Sequence, residues 1–255
     1  MAERSFRTEG IILKRRIFGE ADRLLTVLSP ARGKFDAIAK GARKPASTKT
    51  GHVELFTKVD LLVHKGRDLD IAVQAEMIEP YLALREDLQR GAFASYVVEL
   101  LDRFTYEGEE TSAALYELLG STLARLCADP DPQLVVRYYE IRLLDIAGFR
   151  PELFHCVISR QAIEPEDQYF SYAEGGVVRP AYARMSSDTL VPVTMVALKM
   201  LRHMQRSPYA QVRSLTIPPA LHAELERIML GYMTYLLERK LQSVDFIQRI
   251  RRAAQ

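Results

Sequence analysis

Residues 5–16 read SFRTEGIILKRR. Apolar and polar residues alternate and β-branched residues are frequent, which predicts a β-strand. Four similar runs follow: RLLTVLS, KFDAIAK, VELFTKVDLLVHKG and LDIAVQAEMIE. Turn residues separate them at Gly19, Pro30 to Gly33, Gly41 to Gly51, and Gly66 with Asp68. Five strands with no useful helix between them predict a small closed barrel over residues 1–80. An OB-fold is the first candidate, because it has five strands and binds through loops and one face. An SH3-like barrel is the alternative.

After Pro80 the period becomes helical. Residues 87–104 carry Leu88, Phe93, Val97, Leu100 and Leu101 at helical spacing, and GEETS then breaks the chain. A second helix is expected over 111–128, with Leu115, Leu118, Leu119, Leu123 and Leu126. Asp131-Pro132 supplies the N-cap and first position of a third, and Gly148 suits its C-terminal end. Residues 151–185 lose the helical period, and QYFSY and GGVVR predict a hairpin. Helices are expected again over 192–204 and 220–241. The fold class is therefore α+β. A barrel over 1–80 precedes a helical domain over 81–150 and 186–255, with a β-like insertion at 151–185.

The net charge of +2 conceals an uneven distribution. Residues 14–67 hold thirteen Lys or Arg against five Asp or Glu, a balance of +8, whereas residues 81–150 hold seven against twelve, a balance of −5. A basic N-terminal third favours a polyanionic partner, and solubility alone would also explain it. Two cysteines, Cys127 and Cys156, are too few for a disulfide framework and fit a reducing cytoplasm. No apolar leader and no long apolar run is visible, so neither a signal peptide nor a membrane span is expected.

Catalytic signatures are missing. There is no G-x-x-x-x-G-K-[ST], no G-x-G-x-x-G, no H-E-x-x-H and no G-x-S-x-G, and the five histidines are scattered singly. An enzyme is not expected, and neither is a cofactor. Cys127 reads as a small buried apolar residue. Cys156 is followed at zinc-ribbon spacing by Ser159, and the second arm of the hairpin has Arg179 and Tyr182. One of four ligand positions suits zinc, so no structural metal is expected. Packing around Tyr169, Phe170, Val177 and Val178 would hold the hairpin without one.

The stretch GIILKRRIFGEADRLLTVLSPARGKFDAIAKGARKP resembles the N-terminal block of the RecO family of bacterial DNA recombination and repair proteins. The likeness continues through LFTKVDLLVHKGRDLDIAVQAEMIEPYLALREDLQRGAFASYVVELLDR, RYYEIRLLDIAGFRPELFHC and YFSYAEGGVV, in order over nearly the whole chain. The resemblance implies an N-terminal OB-fold, a helical domain and an inserted zinc-finger-like element. Many members have four cysteines in that element, and this chain matches at Cys156 alone. The resemblance also implies a recombination mediator. Such a protein binds single- and double-stranded DNA, anneals complementary strands, including those coated with the single-stranded-DNA-binding protein, and with RecR helps to load RecA. A cytoplasmic, nucleoid-associated location goes with that role.

Under that reading, cations are the candidate site. Residues 40–51, KGARKPASTKTG, supply Lys40, Arg43, Lys44 and Lys49, with Gly and hydroxyl residues that let the backbone approach phosphate. Lys14 and Arg16 share one face of the first strand, and Arg15 the other. Lys34, Lys65 and Arg67 extend the surface, or are solubilising charges. Phe18, Phe35 and Phe56 are candidates for base stacking or for barrel packing. For the acidic, apolar C-terminal tail of the single-stranded-DNA-binding protein, Arg137 and Arg142 are candidates, against ordinary helix-surface pairing. The basic end RIRRAAQ reads as a frayed tail or an extra contact. The competing reading is an adaptor whose barrel binds protein and whose DNA affinity is incidental; a nuclease is the third.

Overall fold

The computed structural model describes residues 4–44, 47, 49, 51–105, 112–186 and 189–253. Packing divides the chain into two compact units, residues 1–129 with 243–255, and residues 130–242. The first four residues of the expected GEETS break and the last two residues of the basic tail lie outside the described residues, as do positions 45, 46, 48 and 50 of the 40–51 loop.

In the first unit, all five expected strands form: β1 (Ser5–Phe18), β2 (Asp22–Ser29), β3 (Gly33–Ala39), β4 (Lys58–His64) and β5 (Asp70–Glu79). They close as a barrel in the order β1-β2-β3-β5-β4, the OB arrangement. β1 is long enough to serve two partners. Ser5 to Ile11 pair with β4, and Ile11 to Phe18 pair with β2. Gly10 sits where β1 passes from one partner to the other, and a Cβ there would lie 2.4 Å from the Val27 side chain. Closure comes from a short parallel contact of Ala37 and Ile38 with Asp70 and Ile71. Phe6, Ile12, Leu25, Val27, Val59, Leu61 and Val63 fill the interior.

A bulge between Ile12 and Lys14 sets the direction of every later side chain on β1. Ile12 opposes Val27 and points inward; Lys14 opposes Thr26, and Arg16 opposes Leu24. Strand side chains alternate with period two, so without the extra residue Lys14 and Arg16 would share the inward face of Ile12. The bulge puts Lys14, Arg16 and Phe18 in one row on the outer face.

Helices α1 (Ala83–Glu86), α2 (Leu88–Phe104) and α3 (Ser112–Ala128) follow the barrel. Asp87 caps α2 by accepting from the Gln89 and Arg90 amides. The last helix of the chain, α8 (Gln242–Ala253), returns to this unit, where the Ser243 amide and hydroxyl both donate to Glu99 on α2. It replaces the frayed tail expected from RIRRAAQ. By packing, α1, α2, α3 and α8 go with the barrel.

The second unit contains α4 (Pro132–Ile146), β6 (Gln168–Ser171), β7 (Gly176–Val178), β8 (Val191–Val193), α5 (Met195–Arg206), α6 (Tyr209–Val212) and α7 (Pro219–Leu237). Asp131 caps α4 through the Leu134 amide, and Gly148 follows it at φ +80°. The expected hairpin exists as β6–β7, and β8 joins it in the order β7-β6-β8. Pro192 lies in β8 rather than opening a helix; Thr194 caps α5 instead. The helix expected to reach residue 241 stops at Leu237, where Glu238 turns left-handed at φ +50°. Cys127 is half-buried rather than buried.

Candidate nucleic-acid interface

The expected cations sort into two sets. In the first, the charge is engaged inside the unit. The Lys34 ammonium, 14% exposed, donates to the carbonyls of Asp102 and Thr105 at 2.9 and 2.7 Å. These belong to the C-terminal end of α2, whose last carbonyls lack helical partners and carry the negative end of the helix dipole. Lys14 pairs with the Asp102 carboxylate at 2.5 Å. Burial alone would raise the Asp102 pKa, but Lys14 and Lys34 outweigh it and hold the carboxyl below its ordinary value. Arg15 and Arg23 both bond Glu54, which burial pushes up and the two guanidiniums bring below its usual range.

Lys49 belongs to the same set. β3 and β5 part after Ile38 and Ile71, and the Lys49 ammonium sits at that gap. It donates to Lys40 O at 3.4 Å and to Ala72 O at 3.0 Å. Burial lowers its pKa. Further along β5, His52 Nδ1 accepts from the Met77 amide at 2.9 Å. The loop after β3 is thus fixed to the barrel by side chains that satisfy backbone groups where the ladder stops. Lys14, Arg15, Lys34 and Lys49 are first of all structural cations.

In the second set the charge faces outward. Arg16 is 62% exposed, and its nearest carboxylate, on Asp36, is 3.8 Å away. Lys40, Lys65 and Arg67 are exposed, and among the described residues their side chains have no hydrogen-bond or ion-pair partner. Arg43 and Lys44 are also exposed. Arg43 braces the β1–β2 turn: its amide donates to Ala21 O at 2.9 Å and its guanidinium to Glu20 O at 2.9 Å. The Gly41 amide donates to Asp22 Oδ1 at 2.8 Å. The start of the 40–51 loop and the turn at Gly19 to Ala21 are therefore one assembly. On the other flank, the β4–β5 turn that carries Lys65 and Arg67 enters β5 at Asp70, the neighbour of Ala37 on β3. The outward cations flank the β1–β2–β3 face from both sides.

The two candidates for peptide recognition lie in the second unit and are engaged internally. Arg137 is 6% exposed and pairs with the fully buried Glu140 at 2.9 Å. Arg142 donates to Ser207 O at 2.7 Å with its guanidinium 5.1 Å from the centre of the Tyr138 ring. Sequence spacing placed Arg137 at the edge of an apolar face; the fold closes that edge.

The hairpin insertion does not fit zinc. The four ligand positions hold Cys156, Ser159, Arg179 and Tyr182. Burial raises the Cys156 thiol, but hydrogen bonds from Ser159 and from backbone amides bring it below its usual value. The Arg179 amide donates to Cys156 Sγ at 3.4 Å. The Arg179 guanidinium bonds Gln161 and Glu164, and the Tyr182 hydroxyl bonds Gln161. Cys156, Val157 and Val178 form the apolar centre, with Tyr169 packed against them. Side-chain bonds and packing join the arms that a metal would otherwise join.

Comparison with known proteins matches residues 1–81 to the family "Recombination protein O N terminal" and residues 85–245 to "Recombination protein O C terminal". The chain is 39% identical over 251 residues to the DNA repair protein RecO of Roseiflexus sp. (strain RS-1), covering 98% of this chain and 88% of the relative. It is 32% identical over 248 residues to that of Dehalococcoides mccartyi, covering 97% of each. It is 33% identical over 245 residues to that of Desulforamulus reducens, covering 96% of this chain and 94% of the relative.

Proposed function

The chain belongs to the RecO family of DNA repair and recombination proteins, and from that premise we propose that its barrel binds DNA through phosphate, without reading sequence. The observation that carries this is the outward set of cations, Arg16, Lys40, Lys65 and Arg67, around the face on which OB-folds bind. Phosphate contacts by exposed Lys and Arg release counterions and give affinity that is independent of sequence. A surface that holds backbones leaves base edges free, which is what annealing two strands requires. We extend the proposal to single- and double-stranded DNA, to annealing of complementary strands, and to loading of RecA with RecR on DNA coated by the single-stranded-DNA-binding protein. None of these steps asks the chain for catalysis. The location of such work is the cytoplasm, at the nucleoid.

The test is a titration of a fluorescent single strand across a salt series, with annealing of a complementary strand followed in parallel. The proposal expects log K to fall linearly with log salt, and annealing to be accelerated at protein concentrations where the strand is bound. Binding that is absent, or that ignores salt, favours the adaptor reading.

A further inference from the structure

We propose that Phe18 is a base-stacking platform at the end of the β1–β2 hairpin, and that it makes the barrel distinguish unpaired from paired bases. The inference rests on the DNA-binding reading above. The four phenylalanines that precede residue 80 have different fates. Phe6 is buried, and Phe35 packs against it edge-on, with ring centroids 5.9 Å apart. Phe56 is 6% exposed. Phe18 is 41% exposed, although a ring of that size normally contributes to a core.

Its surroundings suit a nucleotide. Phe18 and Arg16 are two positions apart on the outer face of β1, about 7 Å along the strand. Phe18 pairs with Asp22, whose carboxylate holds the Gly41 amide next to Lys40. One row inward on the same face, Arg16 is followed by the half-buried Leu24 and Ile38, which give an apolar floor. A base on the ring would have a cation within reach of the phosphate on either side. The platform is also fixed in advance. Arg43 clamps the turn through the carbonyls of Glu20 and Ala21, and Gly19 accommodates it at φ +59°. Little ordering is left for binding to impose.

Stacking on an aromatic ring uses the face of a base and leaves its pairing edge open. In a duplex both faces are already covered by neighbouring bases. Phe18 therefore adds affinity for unpaired strands alone, and displays the held base to an incoming complement.

The full chain is titrated with two labelled oligonucleotides of equal length and equal phosphate number, one of thymidine and one wholly abasic. The inference expects the wild type to prefer the thymidine strand by about tenfold. Phe18→Ala removes that preference while its affinity for the abasic strand and its salt slope match the wild type, and Phe18→Tyr keeps it. A Phe18→Ala protein that retains the preference overturns the inference. So does a wild type that binds both strands equally with a steep salt slope, which leaves the phosphate-binding proposal standing. A wild type that binds neither strand overturns both. Because the chain has no tryptophan, Phe18→Trp provides a single reporter. Its fluorescence should be quenched by the thymidine strand and not by the abasic one. Binding of thymidine without quenching contradicts stacking.

Discussion

The outer face of β1, β2 and β3 has two ends made from the same kinds of residue. At one end Lys14 and Lys34 meet Asp102 and the last carbonyls of α2. At the other, Arg16 and Lys40 meet solvent beside an exposed ring. A lysine that satisfies a helix end supports the fold, because removing it leaves carbonyls without a donor. A lysine at the open end supports only what binds there. The charge excess of the N-terminal third is therefore two populations, and mutation should separate them: one set changes stability, the other changes the salt dependence of binding.

The largest effect expected from an engaged charge is in the second unit. Glu140→Ala leaves the Arg137 guanidinium buried without its carboxylate and should cost about 3–5 kcal/mol in denaturant unfolding. A smaller loss would mean that water or another group reaches Arg137. Next is Lys34→Met, which leaves the Asp102 and Thr105 carbonyls without their donor. It should cost about 1–3 kcal/mol without changing the salt slope of DNA binding. A changed slope with unchanged stability would move Lys34 into the binding set.

The smallest effect is that of Asp102→Asn, about 1 kcal/mol at neutral pH, since its partner Lys14 is nearly half exposed. Its signature is in the pH profile. The folded Asp102 pKa is depressed, so the stability it contributes is present above its ordinary value of 3.8. That stability is lost as pH falls through the lower folded value. Acid unfolding of Asp102→Asn should therefore be flatter than that of the wild type in this range. Parallel profiles would remove Asp102 from the account.

Much of the architecture was legible along the chain. Five alternating runs became five strands, and Asp131-Pro132 and Gly148 bounded α4 as their chemistry requires. The helix α8 was not, because its basic end reads as a solvated tail until Glu99 is seen to hold Ser243. Charge roles were the least legible. Lys14 and Asp102 are 88 residues apart in sequence, and Lys34 and Thr105 are 71 apart, so no local pattern shows that these lysines are occupied. Arg16 and Lys14 look equivalent in KRR; the position of a helix end distinguishes them. The direction of the row depends on the bulge at Leu13, which no turn residue announces. Phe18 likewise resembles Phe35 and Phe56 in sequence, and only the hairpin's extension beyond the packed core leaves it exposed.

The measurement that tests the division most directly compares two variants with the wild type in single-strand binding across salt. One carries Arg16, Lys40, Lys65 and Arg67 changed to Ala; the other carries Lys14 and Lys34 changed to Met. The first is expected to keep wild-type stability while its slope becomes shallower by roughly 3, about 0.7 for each phosphate that is no longer neutralised. The second should lose stability and, under conditions where it is folded, keep the wild-type slope. Equal slopes in the first variant and the wild type, or a shallower slope in the second alone, would contradict it.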